Sequence, residues 1–359
     1  MRNIHTLENG LRVVITPMPH ASSVSVSVYV GAGARYENPP EAGLSHFVEH
    51  LAFKGTKARP RPQDISIEID SIGGLLNGYT AKEYSCYYVK VLDEHLDQAL
   101  DLLSDLVQHP RMDPGDLAKE KGVVLEEIKM YEDTPEELVG DLLAETVWPG
   151  DALGRSILGT EETVTGLNAE IVSGYHRAGY RQGEIVVALA GNIEPEKGFE
   201  MARRYFRGMV SEKRPRVRMA PGFEAGSARR VKTIEQAHVT LGFPGLALDD
   251  PHVYDFHLLG SVLGGGSSSR LFQSVREDRG LAYSVYSYSS PFSDTGLLGV
   301  YAGVSSANAL ETLALVGEES ARLRRDGPLT EELERAKDQA KASLLLGLEN
   351  TANRMSRAG

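Results

Sequence analysis

Strict alternation marks Ser23-Val-Ser-Val-Ser-Val-Tyr-Val30, where every second residue is a valine, and this period of two predicts a strand with one buried face. Upstream, Glu8-Asn-Gly10 followed by Leu11-Arg-Val-Val-Ile-Thr16 reads as a turn between two strands. Tyr84 to Val91 predicts another strand, and Glu184-Ile-Val-Val-Ala-Leu-Ala-Gly191 a buried one. Helical spacing appears in Leu44, Phe47, Val48, Leu51 and Ala52, which recur at i, i+3, i+4, i+7 and i+8. Asp64 to Ile72 predicts a short amphipathic helix closed by Gly73-Gly74, and Leu96, Ala99, Leu100, Leu103, Leu106 and Val107 one stopped by Pro110. Asp113-Pro114 caps a helix running through Met130, and further helices span Pro135 to Trp148, end near His176, and run from Lys197 to Gly208.

The second half replays this order. Ala237 to Phe243 stands for the valine strand, Asp250 to Gly260 for the helix at Leu44, Leu310 to Leu323 for the one at Leu96, and Glu331 to Leu348 for the one after Pro114. Between the halves lies a polar, basic, proline-bearing stretch, Ser211 to Gly222, which reads as a solvated connector. The expected division is a first domain at 1–213, a linker at 214–226 and a second domain at 227–359. The first half continues for a strand and a helix that the second lacks, so the expectation is a repeat whose last strand and helix lie past Gly359.

Length and composition agree with that division. A chain of 359 residues exceeds the usual single core, and 41% hydrophobic with 25% charged residues is the composition of a soluble globular protein. A net charge of -12 with interspersed signs argues against a general nucleic-acid or anionic-membrane binder. No run of eighteen apolar residues occurs and the amino terminus has no apolar signal core, which points to the cytoplasm without a membrane anchor. The single cysteine, Cys86, has no internal disulfide partner, sits in a strand-like run, and reads as core packing in a reducing compartment.

Chemistry concentrates in His46-Phe-Val-Glu-His50. On a helix, His46, Glu49 and His50 fall opposite the apolar stripe, and two imidazoles four residues apart lie one above the other, able to reach a single ion with Glu49 beside them as a base. Glu120 and Glu127 are seven apart on one line of a later helix, so either could face the histidine pair, whereas Glu126 projects about 100 degrees from Glu127. His252 and His257 are five apart and fall on different faces, a structural or surface pattern. The glycines of Gly73-Gly-Leu-Leu-Asn-Gly-Tyr-Thr80 allow close backbone approach, and an edge strand of this kind can accept an extended peptide. Neither Gly31-Ala-Gly-Ala-Arg35 nor Gly264-Gly-Gly-Ser-Ser-Ser-Arg270 completes a phosphate-binding loop, and the latter reads as a flexible connector.

Taken together, His46-Phe-Val-Glu-His50, Gly73 to Thr80, Val123-Val-Leu-Glu-Glu-Ile128 and Arg276-Glu-Asp-Arg-Gly-Leu-Ala-Tyr-Ser-Val285 resemble the inverted-motif zinc peptidases. That family includes pitrilysin, insulin-degrading enzyme and mitochondrial processing peptidase, and the resemblance, which covers essentially the whole chain, is nearest to short bacterial processing-peptidase-like members. It implies an α+β fold of two duplicated domains, each a mostly antiparallel sheet with helices packed on one face, enclosing a cleft. It implies one Zn2+ per chain on His46, His50 and Glu127, with Glu49 as the base. Glu120 would orient a ligand histidine, Asn77 and Gly78 would hold the substrate backbone, and Arg276 and Tyr283 would contact substrate, with Tyr283 able to donate to the developing oxyanion. The expected activity is endopeptidase cleavage of peptides or short unfolded segments bound as an extended strand, by a homodimer or a heterodimer with a related subunit. The alternative is a noncatalytic peptide-binding or scaffolding subunit.

Overall fold

The computed structural model describes residues 3–180, 184–209 and 219–359. Of the expected linker, residues 214–218 and the basic run before them lie outside the described residues, and 219–226 carry no helix or strand. In chain order the elements are β1 (Asn3–Thr6), β2 (Arg12–Pro17), β3 (Ser23–Val30), α1 (Leu44–Ala52), α2 (Pro62–Ser71), β4 (Leu75–Thr80), β5 (Ser85–Leu92) and α3 (Leu96–Gln108). They continue with α4 (Pro114–Glu132), α5 (Pro135–Val147), α6 (Glu161–Gly166), α7 (Ala169–Tyr180), β6 (Ile185–Gly191) and α8 (Pro195–Phe206). The remainder is β7 (Ala237–Pro244), α9 (Val253–Gly264), β8 (Ala282–Pro291), β9 (Gly296–Val304), α10 (Ala309–Asp326), α11 (Thr330–Gly347) and α12 (Thr351–Ala358).

Two compact units result, and they interleave along the chain. The first comprises Met1–Lys129, Arg155–Val217 and Leu345–Gly359, the second Met130–Gly154 and Arg218–Leu344. Residues 130–154 therefore sit with the second unit and 345–359 with the first, where a division at 214–226 assigns them the other way.

The first unit is built on a six-stranded sheet of order β1-β2-β6-β3-β5-β4, in which β2–β6 is the parallel pair and every other neighbour is antiparallel. One face carries Val24, Val26, Val28 and Val30 with Ile185, Val187, Leu189, Tyr87 and Val89, all fully buried against helical side chains such as Leu44, Phe47, Leu51, Leu100 and Leu103. At about 1.5–3 kcal/mol for each large apolar side chain, this core is the main stabilising term.

The opposite face was expected to be solvated, because Ser25 and Ser27 alternate with the valines. Both serines are instead buried, since α12 lies across this side of the sheet. Met355 packs with Ala188 and Ala190, and the Ser25 and Thr351 hydroxyls lie 2.9 Å apart. Small residues on alternate positions of β3 and β6 give a helix room to settle on the pleat.

A three-stranded antiparallel sheet of order β7-β9-β8 organises the second unit. Val300, Ala302 and Val304 of β9 join Leu271, Val275, Val316 and Leu323 in its core. Here α5 packs on β7: Leu143 and Val147 join Leu297 in a small cluster, and a Cβ at Gly242 would stand 2.8 Å from Leu143 Cδ1. Glycine at 242 is what permits that contact.

Candidate metal centre

Helix α1 is held rigidly at its N-terminus. Gly43 takes φ +92, where a side chain would strike the Leu158 carbonyl oxygen at 2.5 Å, and Gly159, at φ +76, faces the Ala42 carbonyl just as closely. These two glycines let the 155–160 loop back directly onto the start of the helix, conformations that L side chains rarely adopt. The buried Glu37 carboxylate accepts the Gly43 and Ser45 amide hydrogens at 2.8 and 2.6 Å, satisfying donors that the first helical turn leaves open. Burial raises the Glu37 pKa, while its bonds to Ser45 and Gly43 oppose the rise.

Leu44, Phe47, Val48 and Leu51 are fully buried, so the opposite stripe of α1 presents His46, Glu49 and His50 toward α4. His46 Nε2 and His50 Nε2 stand 3.1 Å apart, and Glu127 of α4 places Oε1 3.6 Å from the first and Oε2 3.4 Å from the second. Among the described residues these three form the one group whose geometry could hold a metal ion. Tetrahedral donors at zinc distances of about 2.0–2.2 Å stand about 3.3–3.6 Å from one another, and the observed separations match that spacing to within a few tenths of an ångström. Two imidazoles and a carboxylate are also a donor set of the kind that leaves a fourth position for water or substrate.

Protonation is divided unequally between the rings. Burial, with the neighbouring His50, lowers the His46 pKa to about 4, against a smaller opposing pull from Glu127. Burial also works against charge on His50, but the hydrogen bonds to Glu127 and Glu120 outweigh it and raise that pKa above the usual histidine value. The bond to His50 holds Glu127 below the usual glutamate range against the effect of burial. His46 Nδ1 is buried without a hydrogen-bond partner, so Glu120 orients His50 alone.

Glu120 is itself buried, and its Oε1 lies 3.1 Å from His50 Nδ1 while Oε2 lies 2.7 Å from Lys54 Nζ. Lys54 has no place in the H-x-x-E-H pattern; its spacing of four from His50 was the available signal. Glu49 is nearly enclosed, and burial raises its pKa while a hydrogen bond from Thr80 opposes the rise. Thr80 was also missed, since a threonine ending a strand carries no motif.

The remaining sequence candidates divide between the two units. Asn77 and Gly78 lie on β4, which is an edge of the first sheet. Asn77 is exposed, its side-chain oxygen accepting the Gly78 amide at 2.8 Å, and the missing Cβ at Gly78 lets Phe53 approach, where an added carbon would sit 3.1 Å from the ring. Arg276 and Tyr283 come together in the second unit, with the guanidinium 5.1 Å from the Tyr283 ring centre and 4.7 Å from that of Phe272. Tyr283 falls where β8 shifts register against β9, between Ala282 and Ser284, and is 79% exposed. A bulge of this kind redirects a side chain out of the sheet, which leaves Tyr283 outside the strand core. Cys86 is buried, and burial lifts its thiol pKa to about 12, in keeping with a packing role.

Comparison with known proteins agrees with these features. Residues 12–161 match the family model described as Insulinase (Peptidase family M16), and residues 166–340 the model described as Peptidase M16 inactive domain. The chain is 44% identical to an uncharacterized zinc protease, YmxG, of Bacillus subtilis over 356 residues, covering 99% of this chain and 86% of that protein. It is 43% identical to an uncharacterized zinc protease of Streptomyces coelicolor over 364 residues, covering 99% and 79%. The fold superposes on a Helicobacter pylori protease with a TM-score of 0.87 at 21% identity, covering 98% of this chain and 87% of the other. On a peptidase M16 inactive domain from Pseudomonas fluorescens the TM-score is 0.89 at 20% identity, covering 100% and 86%. No helix among the described residues is long and apolar enough to cross a membrane. The chain belongs to peptidase family M16, the insulinase family.

Proposed function

We propose that this chain is a zinc-dependent endopeptidase that hydrolyses peptides presented as an extended strand. The observation that carries the reading is the mutual placement of His46 Nε2, His50 Nε2 and a Glu127 carboxylate at 3.1–3.6 Å with Glu49 on the same helix stripe. His46, His50 and Glu127 would hold one Zn2+, which when bound supplies Lewis-acid polarisation and a water of lowered pKa. Glu49 takes the proton from the attacking water and returns it to the leaving amine. Glu120, anchored by Lys54, keeps the Nδ1 proton of His50 directed away from the donor cluster, leaving Nε2 free to ligate. The free edge of β4 supports strand addition of the substrate backbone at Asn77 and Gly78, and Arg276 and Tyr283 are assigned to substrate contact.

Glu49→Gln in the zinc-loaded protein tests the reading against a quenched-fluorescence peptide library. Cleavage is expected to fall by about 10²–10⁴-fold with zinc retained at one per chain. Zinc bound at that stoichiometry together with cleavage that does not depend on Glu49, or with no cleavage by the wild type, overturns it.

A further inference from the structure

Glu49 has to present a carboxylate in one orientation, yet the last torsion of a glutamate side chain is broad and roughly two-fold. Among the described residues one side chain donates to it: Thr80 Oγ1 lies 2.8 Å from Glu49 Oε2. Thr80 is the last residue of β4 and pairs with Ser85 of β5. Exposure alternates along β4, with Leu75, Asn77 and Tyr79 outward and Leu76, Gly78 and Thr80 turned in. The β-branched side chain is stiff at its first torsion, so the strand backbone itself aims the hydroxyl.

We infer that Thr80 is the positioning residue for the Glu49 carboxylate, and that through it the edge strand sets the base relative to a peptide added along that strand. The inference rests on the peptidase reading and extends it. With Oε2 tied to Thr80, the other oxygen, Oε1, is the one left to exchange a proton with the attacking water. β4 is at once the edge offered to substrate and the anchor of the base, so backbone pairing registers the scissile carbonyl against Glu49 without a separate device. Phe53, just past the end of α1, packs against Gly78 so closely that an added Cβ would stand 3.1 Å from its ring, which keeps the strand and the helix in fixed relation.

The test compares Thr80→Val, which keeps shape and branching but removes the hydroxyl, with Thr80→Ser, which keeps the hydroxyl. In the zinc-loaded full chain, Thr80→Val is expected to lower kcat about tenfold to a hundredfold, the effect of losing a hydrogen bond to a charged group. KM is expected to stay within about twofold, and Thr80→Ser to regain most of kcat. Zinc affinity should be the same in all three proteins. Wild-type kcat in Thr80→Val, no recovery in Thr80→Ser, or a parallel fall in zinc affinity overturns the inference. A wild type that binds zinc but cleaves nothing refutes the peptidase reading instead. In that case crystal structures of wild type and Thr80→Val still decide the positioning role, since a Glu49 carboxylate equally ordered in the same orientation without the hydroxyl overturns it.

Discussion

Helices α1 and α9 follow β3 and β7 in the chain, but among the described residues only the first presents a group of possible metal donors. On α1 the histidines are four apart, so their rings meet edge to face with centres 4.4 Å apart, and α4 brings Glu120 and Glu127 to them. On the second helix His252 is an exposed residue at the start, paired with Asp255 at 3.1 Å, and His257 lies five positions on, turned to another face. The strand order β7-β9-β8 repeats that of β3-β5-β4, and each sheet receives a helix from outside its own run of chain: α5 on β7, α12 on β3 and β6. Possession of two histidines therefore does not make a centre. The donor geometry of α1 rests on a spacing of four and a facing carboxylate, which His252 and His257 lack.

Removing the facing carboxylate should have the largest effect. One ligand's share, about a quarter, of a zinc binding free energy of about 10–16 kcal/mol corresponds to roughly a hundredfold to a thousandfold loss of affinity for Glu127→Ala. His257→Ala should leave zinc affinity unchanged. Competition with a chromophoric chelator reads both, and a comparable loss from each would break the contrast between the two helices.

Next in size are the groups behind the donors. Glu120→Gln keeps the shape of the carboxylate but weakens its hold on His50, and is expected to lower zinc affinity about tenfold to a hundredfold. Lys54→Met removes the cation on the far oxygen of Glu120, a partly exposed pair, and should cost about fivefold or less by the same assay. If Lys54→Met weakened zinc more than Glu120→Gln, the order of support from Lys54 through Glu120 to His50 would be wrong.

Much of this was legible in the residues. Period-two and helical spacing located most elements of the first unit, because its large core is made of Val, Leu and Ile at regular positions, while α6, α12 and the strands β8 and β9 were not singled out. The adjacent histidine rings followed from a spacing of four, and the resemblance singled out Glu127 where spacing alone left Glu120 and Glu127 equivalent. What stayed hidden depends on contacts between segments far apart in the chain. Serine at 25 and 27 looks the same whether water or α12 covers it, and α12 has few apolar residues with which to announce a buried face. The exchange of α5 and α12 is invisible for the same reason. Thr80, Lys54 and Glu37 act through side chains that meet Glu49, Glu120 and the α1 amides only after the sheet has formed. Gly43 and Gly159 are ordinary loop glycines until their carbonyl neighbours are known.

The smallest effect should come from the face of the first sheet that has no catalytic role. Thr351→Val preserves the shape of α12 where it meets β3 and removes the hydroxyl 2.9 Å from that of Ser25, leaving the buried serine short of one partner. A loss of about 1 kcal/mol in unfolding free energy is expected, measured by urea denaturation of the full chain. Zinc affinity should not move, because Val24, Val26 and Val28 fill the opposite face of β3 and separate this contact from α1. A stability loss accompanied by weaker zinc binding would mean that α12 supports the metal helix through the sheet. The exchanged helix would then belong to the chemistry of the first copy instead of to the layout that both copies share.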